Sequence, residues 1–199
     1  EVFFGNHELK TLDPDFVRKK IGILFQDFVR YELSARENIA FGNLSKIGDT
    51  AEITSIVSDV GLDKKLENID MQLGFWFDDG VQLSGGEWLK IALGRAFIRD
   101  ADLYLLDEPN AALDAISEKK ILQTFKRLVK GKIGIIISHR ISSIKDMVDK
   151  IVVFRDGKIE AIGTHAELLQ TSQTYKELYL NEIAESEIAV SYTHLTLPT

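Results

Sequence analysis

Leu103-Tyr104-Leu105-Leu106-Asp107-Glu108-Pro109 places four apolar residues ahead of two adjacent acids and a proline. A short apolar run closed by turn-forming residues predicts a buried strand of a parallel sheet. A buried strand that delivers paired acids at its carboxyl end is how nucleotide enzymes hold magnesium and orient water. Asp107 is then the expected Mg²⁺ ligand, acting through water because Mg²⁺ keeps much of its hydration shell. Glu108 is the expected acceptor of a proton from the attacking water, or the group that polarises it. Taken alone, an acidic pair at a strand end more often marks a solvated loop.

Outward from this stretch, short apolar runs alternate with helical patterns, the signature of an α/β protein. Ile21–Phe25 and Ile133–Ile137 read as two further buried strands. Asp49–Val60 reads as a helix, with Ile53, Ile56, Val57 and Val60 on one face, an Asp49/Glu52 capping box and a stop at Gly61. Ser117–Lys130 is a second amphipathic helix. Ile151–Ile162 divides around Asp156-Gly157, the strongest short-range hairpin signal.

Three more groups have chemical potential. In Leu83-Ser84-Gly85-Gly86-Glu87, Ser84 suits a helix N-cap and the glycines let backbone approach a ligand. A helix N-terminus with exposed N–H groups is a ready anion site. His139 leaves the strand at 133–137, where an imidazole can hydrogen-bond a phosphate. His7 and His165 are read as structural. Gln26 follows Ile21–Phe25, and its amide can reach a metal or a water.

In combination, the order and spacing of Gln26, Leu83–Glu87, Leu103–Glu108, Ala111–Asp114 and His139 resemble the nucleotide-binding domain of ATP-binding cassette (ABC) transporters. The segments match, in turn, the Q-loop, signature motif, Walker B strand, D-loop and H-loop. The resemblance runs from Glu1 to about Ile188. The Gln26-Asp27 pair, Glu37-Asn38-Ile39, Ser138-His139-Arg140 and the Gly163-Thr164-His165 ending resemble the exporter branch. Trp88 adds a likeness to exporters of lantibiotics and other small peptides.

The resemblance implies a P-loop NTPase fold of the ABC ATPase type, a partial RecA-like core with a parallel sheet plus an α-helical signature subdomain. Residues 26–95 would be the helical subdomain, 96–165 the core with Walker B, D-loop and H-loop, and 166–189 the C-terminal helices. It implies ATP and Mg²⁺ as cofactors. Gln26, Asp107, Glu108 and His139 would serve this chain's own nucleotide, with Gln26 also near the metal. Ser84, Gly85, Gly86, Glu87 and Asp114 would serve the nucleotide of a second ATPase domain in a head-to-tail dimer. A transmembrane domain fused upstream would be the other partner, and the location the cytoplasmic face of the cell membrane. The implied function is ATP-driven export of a peptide, lipid or drug-like substrate.

Two rivals are soluble ABC-type ATPases acting on DNA or on the ribosome. The DNA class inserts long coiled coils between its nucleotide halves, whereas no sustained heptads separate Gln26 from Ser84. The net charge of −7 also argues against a protein that grips nucleic-acid phosphates. The absence of cysteine excludes thiolate zinc sites and cysteine nucleophiles. No apolar run approaches the ~20 residues of a membrane span.

The chain departs from the family pattern in places. No G-x-x-x-x-G-K-[ST] is present, because Lys126 and Val152 stand where Gly131-Lys132 and Gly157-Lys158 need an earlier glycine. In the family that loop lies upstream of the first residue here, Glu1, so the 199 residues are expected to be a piece of a longer protein with negligible ATP turnover alone. Val190–Thr199 carries no formal charge and resembles a one-frame translation of a transposase-end sequencing adapter, an expected non-native tail. Glu87 replaces the commoner Gln of the signature and brings a carboxylate towards a triphosphate; protonation, an outward turn and pairing with a cation all remain open. Leu89 stands where many members carry a second Gln, and Gly94 is expected to cost its helix about 1 kcal/mol relative to Ala.

Overall fold

Leu103–Asp107 is the middle strand of a three-stranded parallel sheet. The computed structural model describes residues 1–110 and 112–195. They fall into two units, Glu1–Ser138 and the chain from His139 onward. The first unit opens with an antiparallel hairpin, β1 (Phe3–Phe4) and β2 (His7–Glu8), then α1 (Pro14–Lys19) and β3 (Ile21–Leu24). Next come α2 (Ala35–Ala40), α3 (Thr50–Asp59) and α4 (Gly85–Phe97). The unit ends with β4 (Leu103–Asp107), α5 (Ala115–Leu128) and β5 (Ile133–Ile137). The sheet order is β3-β4-β5, with Leu24 opposite Leu106 and Leu106 opposite Ile136.

Local chemistry sets these limits. Ser34 caps α2 with a full capping box, its side chain accepting the Glu37 N–H while Glu37 accepts the Ser34 N–H. Asp49 caps α3 by accepting the Glu52 N–H, but the reciprocal bond expected of Glu52 is not made. Its carboxylate pairs with Lys46 at 2.7 Å instead. Helix α5 begins two residues earlier than the apolar pattern suggests, because Asp114 accepts the N–H groups of Ile116 and Ser117.

Helix α4 is the centre of the first unit's core. Trp88, Leu89, Ile91, Ala92, Leu93, Ala96 and Phe97 are buried among Ile39 of α2, Ile53 and Ile56 of α3, and Leu24, Tyr104 and Leu106 of the sheet. The helical region expected over 26–95 therefore shares one core with the parallel sheet. Gly94, expected only as a weak helix position, has a packing reason. A Cβ there lies 3.1 Å from Ile39 Cγ1 and 3.3 Å from Ile56 Cγ2, so the glycine lets three helices converge.

The sheet is covered unequally. Gly22, Leu24, Tyr104 and Leu106 face the core, whereas Ile133, Ile135 and Ile137 are 62%, 44% and 50% exposed. Ile133–Ile137, expected as a buried strand, is a strand with an open face. Apolar content predicts the backbone state but not which face finds a cover. Phe25 is likewise exposed.

The second unit holds α6 (Ile141–Ile144), the hairpin β6 (Ile151–Arg155) and β7 (Lys158–Gly163), α7 (His165–Thr171) and α8 (Gln173–Leu195). Asp156 and Gly157, at φ of +51° and +73°, make the turn, as the Asp-Gly pair predicts. Val153, Leu168 and Tyr175 form its small core. His165 Nδ1 lies 2.7 Å from the Tyr175 hydroxyl, a structural contact. Residues 196–199 of the expected tail lie outside the described residues, as does Ala111 of the expected D-loop; the backbone of 190–195 continues α8.

The tightest joint in this packing is Gly42, where an added Cβ falls 1.9 Å from the Arg95 carbonyl oxygen and 2.6 Å from Ile98 Cγ2. Gly42→Ala is expected to lower stability by about 1–3 kcal/mol through overpacking. Gly48→Ala, which meets nothing within 4 Å, is expected to change it by no more than about 0.5 kcal/mol. Urea midpoints at unchanged m-value check the pair.

Candidate functional site

Parallel strands bring their carboxyl ends to one edge, and the polar residues there are Gln26, beyond β3, and Asp107 and Glu108, at and beyond the end of β4. Gln26 Nε2 donates to Glu108 Oε2 at 3.2 Å, joining residues 82 positions apart in sequence. Asp107 is still in the ladder, paired with Ile137 of β5. Glu108 has left it with a left-handed φ of +47°, while its N–H donates to the Ile137 carbonyl at 2.9 Å. A left-handed non-glycine residue costs on the order of 1–3 kcal/mol and persists only where its surroundings enforce it. Here the hydrogen bond to β5 and the buried Pro109 do so. The kink turns the second acid of the pair away from the strand direction and towards Gln26.

The turn is fixed from below by a pair that the sequence reading did not single out. Asn110, 2% exposed, donates through Nδ2 to Glu118 Oε1 of α5 at 2.6 Å, and Glu118 is 8% exposed. Buried polar groups persist when they are paired in this way. Asp114 is the N-cap of α5, and the N–H groups it accepts hold its carboxyl below the usual range, the Ser117 contribution being the largest.

At the start of α4, Ser84 is the N-cap of a complete capping box. Glu87 Oε2 accepts the Ser84 N–H at 2.8 Å, and Ser84 Oγ accepts the Glu87 N–H at 3.3 Å. This answers the question that Glu87 raised: its carboxylate folds back onto the helix end. Ser84 Oγ acts there as acceptor, leaving its own hydroxyl proton available to an incoming anion. The N–H groups of Gly85 and Gly86, at the first helical positions, have no intrahelical acceptor by geometry.

The two glycines have different surroundings. A Cβ on Gly85 meets nothing within 4 Å, so its face is open for approach of a ligand. A Cβ on Gly86 falls 2.5 Å from the Ala112 carbonyl oxygen, so that glycine lets the D-loop segment lie against the helix start. Lys90 Nζ donates to Ser117 Oγ at 2.9 Å, a direct tie between α4 and α5. His139 is the first residue of the second unit, two positions beyond the end of β5.

Among the described residues no group of three or more His, Cys, Asp or Glu could cage a metal. Among the described residues no helix is long and apolar enough to cross a membrane. Arg95 also escaped the sequence reading, and Asn38 was noted only as part of an exporter-like triplet. The available signal was a polar residue on an apolar face: Arg95 continues the buried series Trp88, Ile91, Ala92 at helical spacing.

Comparison with known proteins gives a consistent picture. The family model described as ABC transporter matches residues 1–111. The subtilin transport ATP-binding protein SpaT of Bacillus subtilis is 44% identical over 194 residues, covering 93% of this chain and 31% of that protein. The nisin transport ATP-binding protein NisT of Lactococcus lactis subsp. lactis is 46% identical over 175 residues, covering 86% and 29%. A bacterial Atm1-family ABC exporter solved with ATP bound superposes with a TM-score of 0.79 at 27% identity, over 89% of this chain and 31% of that one. The chain thus spans less than a third of the length of these relatives.

The cap geometry predicts how the signature tolerates change. Glu87→Gln keeps an acceptor at the same reach and is expected to alter stability by less than about 0.5 kcal/mol. Ser84→Ala removes the N-cap acceptor and is expected to cost about 1 kcal/mol. Thermal or urea unfolding of the two variants side by side checks this.

Proposed function

The chain belongs to the ABC transporter family, and we propose that it supplies the ATP-hydrolysing machinery of an exporter whose cargo is a small peptide. The single observation that carries the hydrolytic part is the meeting of Gln26 and Glu108 at the carboxyl edge of the parallel sheet, 3.2 Å apart. In this reading Glu108 accepts the proton of the attacking water, and Gln26 orients both that water and the carboxylate. Asp107, one residue earlier on the same strand end, would hold Mg²⁺ through water, with Gln26 beside it. When bound, the ion would neutralise charge building on the phosphate oxygens. His139 would donate a hydrogen bond to the terminal phosphate.

Ser84, Gly85 and Gly86 would act on the nucleotide of a second ATPase domain arranged head to tail. The open face of Gly85 and the acceptor-less N–H groups at the start of α4 support this, since such a helix end favours an anion. Glu87 then has an indirect part, holding the helix end rather than meeting phosphate. Asp114 would contribute through the segment it fixes, because its carboxylate is engaged in capping α5.

The peptide cargo rests on the 44% and 46% identity to proteins named for subtilin and nisin transport. A membrane domain is the expected second partner. The exposed Phe75, Trp76 and Phe77 support an apolar contact of that kind: they are 71%, 85% and 46% exposed on a loop whose first two N–H groups are held by Glu32. Such a transporter would work at the cytoplasmic face of the membrane.

The test is Glu108→Gln in the full-length protein. Loss of the proton acceptor is expected to lower ATP turnover by roughly 10²-fold or more while ATP remains bound. Unchanged turnover, measured by phosphate release, would reject Glu108 as the base.

A further inference from the structure

Arg95 lies near the end of helix α4, and its guanidinium makes three hydrogen bonds, all to neutral oxygens. Nη1 donates to the Val29 carbonyl at 2.6 Å, Nε to the Asn38 carbonyl at 3.0 Å, and Nη2 to Asn38 Oδ1 at 2.8 Å. Its Cζ sits 4.7 Å from the centre of the Tyr31 ring, a cation–π geometry. Among the described residues no carboxylate pairs with it, and burial pulls its pKa down to about 10. Asn38 is fully buried, and its Nδ2 donates to the carbonyls of Tyr31, Leu33 and Ser34 at 2.8, 3.2 and 3.0 Å.

A charge removed from water without a counter-charge is costly, and a neutral side chain would avoid the cost. One Arg95 bond goes to Val29 and two to Asn38, whose own Nδ2 binds the carbonyls of Tyr31, Leu33 and Ser34. Directly and through Asn38, the guanidinium is thus tied to residues 29–34, a segment that begins three positions after Gln26. The later part of that segment is held by Asn38 and by the Leu73 N–H on the Leu33 carbonyl. Its start, with Val29 and Tyr31 55% and 38% exposed, meets α4 through Arg95. The other end of the same helix carries Ser84, Gly85 and Gly86. A helix of 13 residues is a stiff rod, so whatever is fastened near its end moves with its start.

We propose that Arg95 is a positioning residue that clamps the segment after Gln26 to the signature helix. A shift of Gln26 at this chain's own nucleotide is thereby passed to Ser84–Gly86 at the partner's. The proposal rests on the ATPase reading above and adds to it the link between the two half-sites of one chain. The contacts of Arg95 are to Val29, Asn38 and Tyr31 and not to Gln26 or Glu108. Its effect is exerted through Val29, Asn38 and Tyr31.

The test uses Arg95→Lys and the milder Tyr31→Leu in the full-length protein. Lysine keeps the charge but cannot make three bonds in a fixed fork. Tyr31→Leu removes only the ring from an exposed position, so it folds even if the first variant does not. Hydrogen exchange is read separately over residues 27–33 and over α4. In Arg95→Lys, exchange over 27–33 is expected to rise about tenfold while α4 stays protected, with a smaller rise of the same sign in Tyr31→Leu. In steady-state hydrolysis, kcat is expected to fall roughly tenfold or more in Arg95→Lys with KM for MgATP within about twofold, since binding groups are intact and alignment is lost. Unchanged exchange over 27–33 in both variants overturns the clamp. So does a loss confined to KM. Absence of ATP hydrolysis in the unsubstituted full-length protein would instead defeat the ATPase reading, and the exchange measurement would still decide the clamp.

Discussion

Helix α4 must satisfy two demands at once, and the rest of the first unit is arranged around them. Its middle is buried against the sheet and against α2 and α3, while its first turn stays open with acceptor-less N–H groups. Each fully buried Leu, Ile or Phe side chain contributes on the order of 1.5–3 kcal/mol, so the helix position is fixed by its core face and not by its end. The end is then free to be a site. The capping box of Ser84 and Glu87 keeps the first turn formed without closing it, since it engages the Glu87 and Ser84 N–H groups and leaves those of Gly85 and Gly86.

Close approach around this helix is made possible by the absence of side chains at particular points. Gly42 admits the Arg95 carbonyl, Gly94 admits Ile39 and Ile56, and Gly86 admits the Ala112 carbonyl. Each would be read from sequence as a loop or as a weak helix position. Their common role is to let backbone or β-branched side chains lie nearer than a Cβ permits. Gly85, by contrast, faces open space. Of the adjacent glycines, Gly86 is thus needed for internal packing, while Gly85 leaves an open face.

The α/β class, the middle strand with its acids, and the hairpin at Asp156-Gly157 were legible because each rests on local pattern. Which sheet face is covered was not, because Ile133, Ile135 and Ile137 have the same composition whether buried or open. The Gln26–Glu108 contact spans 82 positions, and only the motif order pointed to it. Glu37-Asn38-Ile39 was recognised as an exporter-like triplet without a reason for its chemistry. The structure supplies one: Glu37 completes a cap, Asn38 binds Arg95 and the segment at 31–34, and Ile39 enters the core. Asn110 and Glu118 went unnoticed since a buried polar pair has no periodic signature. Glu87 looked like a liability near phosphate because its partner, the Ser84 N–H, belongs to the backbone and is invisible to side-chain reasoning.

The central claim is that the sheet edge of this chain and the start of its α4 act on different nucleotides, so a working site needs two copies. Mixed dimers of the full-length protein test it directly, using Glu108→Gln and Ser84→Arg placed either in one subunit or in opposite subunits. Sites shared between copies predict that the opposite arrangement keeps one intact site and about half the ATP turnover, whereas both changes in one subunit abolish it. The reverse pattern, with turnover surviving only when both changes share a subunit, would contradict the account.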